Sequence, residues 1–440
     1  MEILTQVAQF ILSLSILIVL HELGHFIPAR LFKTRVEKFY LFFDPWFSLF
    51  KIKRKDTEYG IGWLPLGGYV KISGMIDESM DKEQMKLPPQ PWEFRAKPAW
   101  QRLIIMLGGV TVNFILGIVI FSVILFIWGE KFLPTANVKY GISCDSIALK
   151  MGMHDGDKII SVDGIQVENF NKIPLEIILN KARTIEVERE GTPLSISIPA
   201  EVFSTLLRGK HALFEPRMPC EVDSVLPGTG AAKAGLMKGD KFISINGSPS
   251  AYYQDVVKLL QQFKGTSAEL KIERKGEEKL LTAEISALGK LGFANRSPED
   301  FFSFSTREYS LLSAIPAGIS RGKETFDGYL KQFKVLFTVK DAHKSLGGFI
   351  SIGKAYDTVW NWQRFWSFTA VLSIILAFMN ILPIPALDGG HVIFLLYEVI
   401  TGRKPSDKFL EYAQYAGMAL LFTLLIYANG NDIFRLVSGG

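Results

Sequence analysis

The chain has 440 residues, of which 48% are apolar, 12% aromatic and only 21% charged, a balance too oily for an ordinary soluble enzyme. A net charge of +5 is too small to point to nucleic acid, so no nucleic-acid partner is expected. The length leaves room for two or three domains.

The first element is an apolar run in which residues 3–20 carry no charge and apolar character resumes through Leu31 and Phe32. It lacks the basic start and small-residue cleavage site of a signal peptide, so it is expected to stay as a transmembrane helix. Inside it stands HELGH, residues 21–25. On a helix His21 and His25 are i and i+4, so both imidazoles leave one face one turn apart. That spacing suits two corners of a tetrahedral zinc site, while Glu22 projects where it can act on a water without ligating the metal. In a soluble chain a histidine pair is often merely satisfied by its neighbours. At bilayer depth an ionisable side chain costs roughly 2.5–3.5 kcal/mol, and three together need a compensating partner, for which a divalent cation is the natural choice.

The loop that follows is basic, with Lys33, Arg35, Lys51, Lys53, Arg54, Lys55, Lys82 and Lys86 among its residues. Within it "TEYGIGWLPLGGYVKIS" (57–73) mixes glycine with β-branched and aromatic residues and reads as a β-loop with a strand edge open to an extended substrate. Residues 103–128 contain no charge and form the second span. The third apolar run, 365–400, is interrupted by Pro383, Pro385 and Asp388, and the fourth, 412–428, is uncharged. The short loop between the last two carries Arg403, Lys404 and Lys408. The positive-inside rule makes 33–102 and 401–408 cytoplasmic and puts both termini and residues 130–362 outside. Cys144 and Cys220 fall in that outer region, where a disulfide is permitted, but their wide separation favours free thiols.

The outer region repeats itself. "SIALKMGMHDGDKIISVDGIQV" (146–167) recurs as "GTGAAKAGLMKGDKFISINGSPS" (228–250), with Ala148, Gly152, Gly156, Asp157 and Gly164 matching Ala231, Gly235, Gly239, Asp240 and Gly247. Each copy reads as a short helix, a Gly-Asp turn, an alternating strand and a tight Asp-Gly or Asn-Gly turn, and resembles the circularly permuted PDZ domain of bacterial proteases. Such domains serve as spacers or bind an extended peptide along a sheet edge. Residues 300–362 have apolar side chains at helical spacing, Trp360, Trp362 and Trp366 cluster where the third span begins, and the stretch is expected as amphipathic helices on the outer membrane face.

A zinc site needs a third ligand. Asp388, in "NILPIPALDGGH" (380–391), is the best candidate because Pro383 and Pro385 break the helix there; His391 ranks second and Asp44 is a more distant candidate.

HELGH in the first span, N-x-x-P-x-P-x-L-D-G-G at 380–390 and the repeats between the second and third spans together resemble the site-2 protease family, and within it the bacterial type that regulates the sigma-E envelope-stress response. The resemblance covers nearly the whole chain. It implies Zn2+ held by His21, His25 and Asp388, with Glu22 as catalytic base and Asn380 as a polar active-site residue that donates to substrate or oxyanion. It implies substrate contacts by Gly67, Gly68 and Tyr69 of a membrane-dipping loop "PLGGYVK" (65–71) and by Asn113. Two segments depart from the family pattern: "GGVTVN" (108–113) keeps Asn113 without the family's proline, and "SLGGFISIGK" (345–354) differs before the third span. The implied reaction is hydrolysis of a peptide bond within or near the transmembrane segment of single-span proteins. Expected substrates are an anti-sigma factor already trimmed by a separate site-1 protease, or remnant signal peptides. The implied setting is the lipid bilayer of the bacterial inner membrane, with the active site toward the cytoplasm.

The expected architecture is therefore a polytopic α-helical membrane protein with four transmembrane helices, a membrane-associated β-loop and two inserted PDZ-like α+β domains. Its divisions are 1–129 (first two spans), 130–215 and 216–290 (the two repeats), 291–364 (surface helices) and 365–440 (last two spans). Two other function classes compete: a zinc transporter or sensor, which would need polar residues along the other spans, and an inactive PDZ scaffold, which would have no use for Glu22.

Overall fold

The structure is a computed structural model that describes residues 2–65, 67–75, 88–199, 202, 213–338 and 346–438. Lys82 and Lys86 of the basic loop and Leu66 of "PLGGYVK" lie outside them. The chain divides into two compact units, Met1–Gly129 with Glu308–Gly440, and Glu130–Arg307.

In the first unit four helices are long and apolar enough to cross a membrane, lying within Glu2–Leu31, Ala99–Trp128, Trp362–Ile381 and Asp407–Ser438. The boundaries follow from local chemistry. Pro98 precedes the second span, and Gly129, at φ 68°, turns the chain out of it. The Asn361 side chain caps the third by accepting from Arg364 N–H at 3.0 Å. The third helix stops at Ile381 before the prolines, and a separate helix runs from Asp388 to Thr401.

The second span is the hub: the first and third spans, Asp388–Thr401 and a helix at Leu311–Thr338 all pack on it. That last helix, from the stretch expected as amphipathic helices on the outer membrane face, packs along the second span. A side chain at Gly318 would overlap Ser122, and one at Gly322 would meet Ile118 at 2.9 Å. Phe326 meets Phe114 with ring centroids 6.0 Å apart. Steps of four residues in one helix match steps of four back in the other, an antiparallel pair seated on small residues. The apolar periodicity was real, but its small residues select a helix neighbour.

Between the first two spans lie β1 (Val36–Leu41), β2 (Phe43–Arg54), β3 (Thr57–Leu64) and β4 (Tyr69–Ile72), in the order β2-β3-β1-β4. Residues 57–73 are not a simple hairpin, because β1 inserts between β3 and β4, parallel to the former and antiparallel to the latter. β4 is left as an edge strand.

The second unit carries the repeats on two apolar cores. One gathers residues such as Ile142, Met153, Ile185 and Val187; the other gathers Val222, Ile245, Leu270 and Ile272. In the first copy β6 (Ile142–Cys144) pairs with β10 (Phe214–Pro216), and β7 (Lys158–Val162), β8 (Thr184–Arg189) and β9 (Thr192–Ser197) form a second sheet. In the second copy β11 (Val222–Val225) pairs with β16 (Phe293–Asn295), beyond residue 290. Its other sheet joins β12 (Lys241–Ile245), β13 (Ser248–Pro249), β14 (Ser267–Arg274) and β15 (Glu277–Glu284). β5 (Glu130–Phe132) and β17 (Ser305–Arg307) pair where the chain enters and leaves the unit.

The repeated Gly-Asp has a structural role. Arg189 donates to both oxygens of Asp157, at 2.7 and 2.8 Å, and to the Gly152 carbonyl at 2.8 Å. Arg274 does the same to Asp240, at 2.7 Å to each oxygen, and to the Gly235 carbonyl at 2.8 Å. A bidentate guanidinium satisfies a carboxylate that the fold has buried. Burial alone would raise the Asp157 carboxyl, but hydrogen bonds from Arg189 and from the His154 N–H outweigh it and hold the group below the usual carboxylate range. Cys144 and Cys220 are free and sit in separate cores.

Candidate active site

His21, Glu22 and His25 project from one helix, and the close approach of a second helix sets their surroundings. A Cβ on Gly24 would overlap the Gly108 carbonyl, one on Gly108 would overlap the Gly24 carbonyl, and one on Gly109 would overlap both imidazoles. The absence of side chains at these three glycines lets two backbones meet where the histidines emerge. Sequence reasoning missed this contact, although the Gly108-Gly109 pair in an uncharged span was its signal.

The crossing also orients the rings. His25 Nδ1 lies 2.8 Å from the Ile105 carbonyl, the only acceptor it needs, which makes Nδ1 the protonated nitrogen and frees Nε2. His21 Nδ1 lies 3.2 Å from the side-chain amide of Asn113. As assigned, that amide places nitrogen against His21 and leaves a buried Oδ1 without a partner. Exchanging the amide oxygen and nitrogen lets Oδ1 accept from His21 Nδ1–H and frees His21 Nε2 in the same way. Asn113, expected among the substrate contacts, thus stands against His21.

Asp388 arrives from the third span's break, where Ile384–Leu387 form a turn closed by the Leu387 N–H on the Ile384 carbonyl at 3.0 Å. The three groups then converge. His21 Nε2 and His25 Nε2 are 3.3 Å apart, and each is 3.3 Å from Asp388 Oδ2. An edge of a tetrahedron is about 1.63 times its centre-to-corner distance, so zinc bonds of about 2.0–2.1 Å call for ligands about 3.3–3.4 Å apart. The triangle is one face of that tetrahedron. Asp388 Oδ2 has no properly aligned hydrogen-bond donor despite its burial, as expected of an oxygen whose partner is a cation. The donor set therefore fits zinc, with the fourth corner left to a non-protein group. These residues are the one such group among the described residues. Of the rivals, His391 lines a cleft with Arg102, Glu398 and Gln414, and Asp44 accepts from Tyr69 Oη at 2.8 Å and Ser48 Oγ at 3.0 Å within the β-loop.

Around the triangle, Asn380 Nδ2 reaches to 3.4 Å from His21 Nε2. Glu22 is buried, and β4 packs against the helix that carries it. Gly68 abuts the Glu22 side chain, its absent Cβ falling 3.6 Å from Glu22 Cγ. Tyr69 turns its hydroxyl to Asp44, and Gly67 lies against the Phe43 ring, so of the three β-loop residues it is Gly68 that lies beside Glu22.

Residues 9–424 match Peptidase family M50. The chain belongs to the M50 peptidase family. It is 30% identical to the "Regulator of sigma E protease" of Haemophilus influenzae, over 99% of this chain and all of the relative. It is 29% identical to the "Regulator of sigma-E protease RseP" of Escherichia coli, again over 99% of this chain and all of the relative. This M50 peptidase is thus a site-2-type zinc metalloendopeptidase of regulated intramembrane proteolysis, a multi-pass membrane enzyme and neither a zinc carrier nor an inert scaffold.

Proposed function

We propose that His21, His25 and Asp388 hold the catalytic zinc and that Glu22 is the general base. The 3.3 Å triangle of His21 Nε2, His25 Nε2 and Asp388 Oδ2 carries this reading. Zinc in that position supplies Lewis-acid polarisation of the scissile carbonyl. Glu22 takes a proton from the attacking water and delivers it to the leaving amine nitrogen. Asn380, beside the triangle, donates to the oxyanion as negative charge develops there. Asn113 holds the His21 tautomer and ring plane, so it acts on the metal site and not on substrate.

A transmembrane helix hides its carbonyls in i to i−4 bonds, so the substrate must be extended before it is cut. β4 offers the free edge for that, with Gly68 admitting the strand beside Glu22. We assign as substrates single-span membrane proteins whose outer domains a site-1-type protease has already shed, an anti-sigma factor being the example that the sigma-E relatives suggest, with remnant signal peptides as a second class. The duplicated fold of the outer unit supports two PDZ domains at about 130–215 and 216–290, the second extended by β16. The basic loops at 33–102 and 401–408 favour a cytoplasmic-side active site and an outer-side repeat region.

The test is metal analysis and cleavage of a single-span substrate by purified variants. Glu22→Gln keeps the side-chain volume but cannot accept the proton, so zinc stays near one per chain while the rate falls by about 10²–10⁴-fold. Asp388→Ala loses both. Full zinc occupancy in Asp388→Ala would reassign the third ligand.

A further inference from the structure

The fourth span gives the site no metal ligand, yet two of its residues hold the turn that aims one. Among the described residues of Asp407–Ser438 three are buried: Gln414, Gly417 and Asp432. Asp432 caps a distant short helix by accepting from Gly348 and Ser351 N–H, each at 2.9 Å. The other two meet the turn before Asp388. Gln414 Oε1 accepts from Ala386 N–H at 3.1 Å, and the Pro385 carbonyl occupies the space where Gly417 would carry a Cβ.

That turn needs holding. Pro385 is its second residue and Ala386 its third, and Ala386 has φ 79°. A proline followed by positive φ is the type II turn, whose third position favours glycine because a Cβ there crowds the backbone. The turn's own hydrogen bond uses the N–H of Leu387, which leaves the Ala386 N–H to find another acceptor. Gln414 is that acceptor. Left without it, Ala386 would relax toward negative φ and swing the chain two residues before the ligand carboxylate, which must lie 3.3 Å from two imidazole nitrogens.

The geometry points to Gln414 as a positioning residue for the third metal ligand, acting through the Ala386 N–H, with Gly417 as the surface on which the turn rests. This rests on Asp388 being a ligand, as proposed above. The test uses the full-length enzyme in detergent or lipid nanodiscs. Zinc retention is titrated against a chelator, and folding is followed separately by thermal melting. Gln414→Met removes the acceptor at similar volume and is expected to weaken zinc by about 10-fold or more, in the range for partners that orient metal ligands. Gln414→Glu keeps the acceptor and is expected to retain zinc. The decisive variant is Gln414→Met combined with Ala386→Gly: glycine adopts positive φ freely, so it recovers most of the lost affinity. A role confined to packing of the fourth span would not be rescued from Ala386. Should Gln414→Met fail to accumulate folded, Gly417→Ala with and without Ala386→Gly reads the same coupling. Unchanged zinc affinity in Gln414→Met, or a loss that Ala386→Gly does not relieve, overturns the inference. Asp388→Ala separates the two levels: if it keeps zinc, the ligand assignment fails, and if it alone loses zinc, only the role of Gln414 does.

Discussion

The membrane unit and the repeat unit of this M50 peptidase are held together by different means. The repeat unit hides Ile, Val, Leu and Phe in two cores of the kind water drives together, and among its described residues the buried charges are Asp157 and Asp240, each in a bidentate pair with an arginine. The membrane unit leaves large apolar side chains such as Ile127, Leu420 and Ile426 on its surface. What it buries at this helix crossing is glycine and polar side chain: Gly24 and Gly109 with His25, Asn113 and Glu22. Lipid is as apolar as leucine, so burying leucine between spans gains little, and close backbone approach and satisfied polar groups decide the packing instead. The same side chain therefore has different value in the two units.

That contrast breaks hardest at Gly109. Gly109→Val puts bulk where both imidazoles sit, so zinc content and cleavage are expected to fall to background together; a zinc-loaded variant would mean that the crossing has slack. The next effect belongs to the repeat core. Leu270 is fully buried, and Leu270→Ala is expected to cost about 2–5 kcal/mol, read as faster amide exchange across β12 and β14 in the intact chain. The Asp157–Arg189 pair is smaller and pH-dependent. A carboxyl depressed in the folded state contributes stability above its unfolded value of about 3.9 and loses it as pH falls through the folded value. Amide protection in the first repeat should therefore decline below about pH 4, and Asp157→Asn should lower it at neutral pH while flattening the acid limb. Least affected is the lipid-facing surface. Ile426 is 72% exposed, and Ile426→Ala is expected to shift thermal stability by less than about 0.5 kcal/mol. A loss there comparable to that of Leu270→Ala would mean that Ile426 faces a partner.

Much of this was legible residue by residue. Charge-free runs of about 20 residues dictate spans whatever they pack against, because no other structure satisfies their backbone in lipid. The i, i+4 histidines share a face by helix geometry alone, and the repeated glycines do occupy left-handed turns, as at Gly164 and Gly247 (φ 75° and 78°). Other features depended on partners far along the chain. β1 lies between β3 and β4 because it pairs with both, which no local pattern in 57–73 encodes. The packing of the helix at Leu311–Thr338 on the second span was not legible, because amphipathicity records that one face is apolar and not what covers it.

By itself, then, the sequence determined the four spans, the HELGH face, the proline break before Asp388 and the duplication within the repeat unit, since each follows from short-range geometry or from the cost of charge in lipid. Tertiary structure alone decided that Asp388 completes a 3.3 Å triangle with His21 and His25, that Asn113 faces His21, that β4 packs beside Glu22 and that Gln414 accepts from the turn ahead of Asp388. Those contacts join residues up to several hundred positions apart. Ligand distances have a tolerance of tenths of an ångström, which only the packed positions of several helices at once can meet.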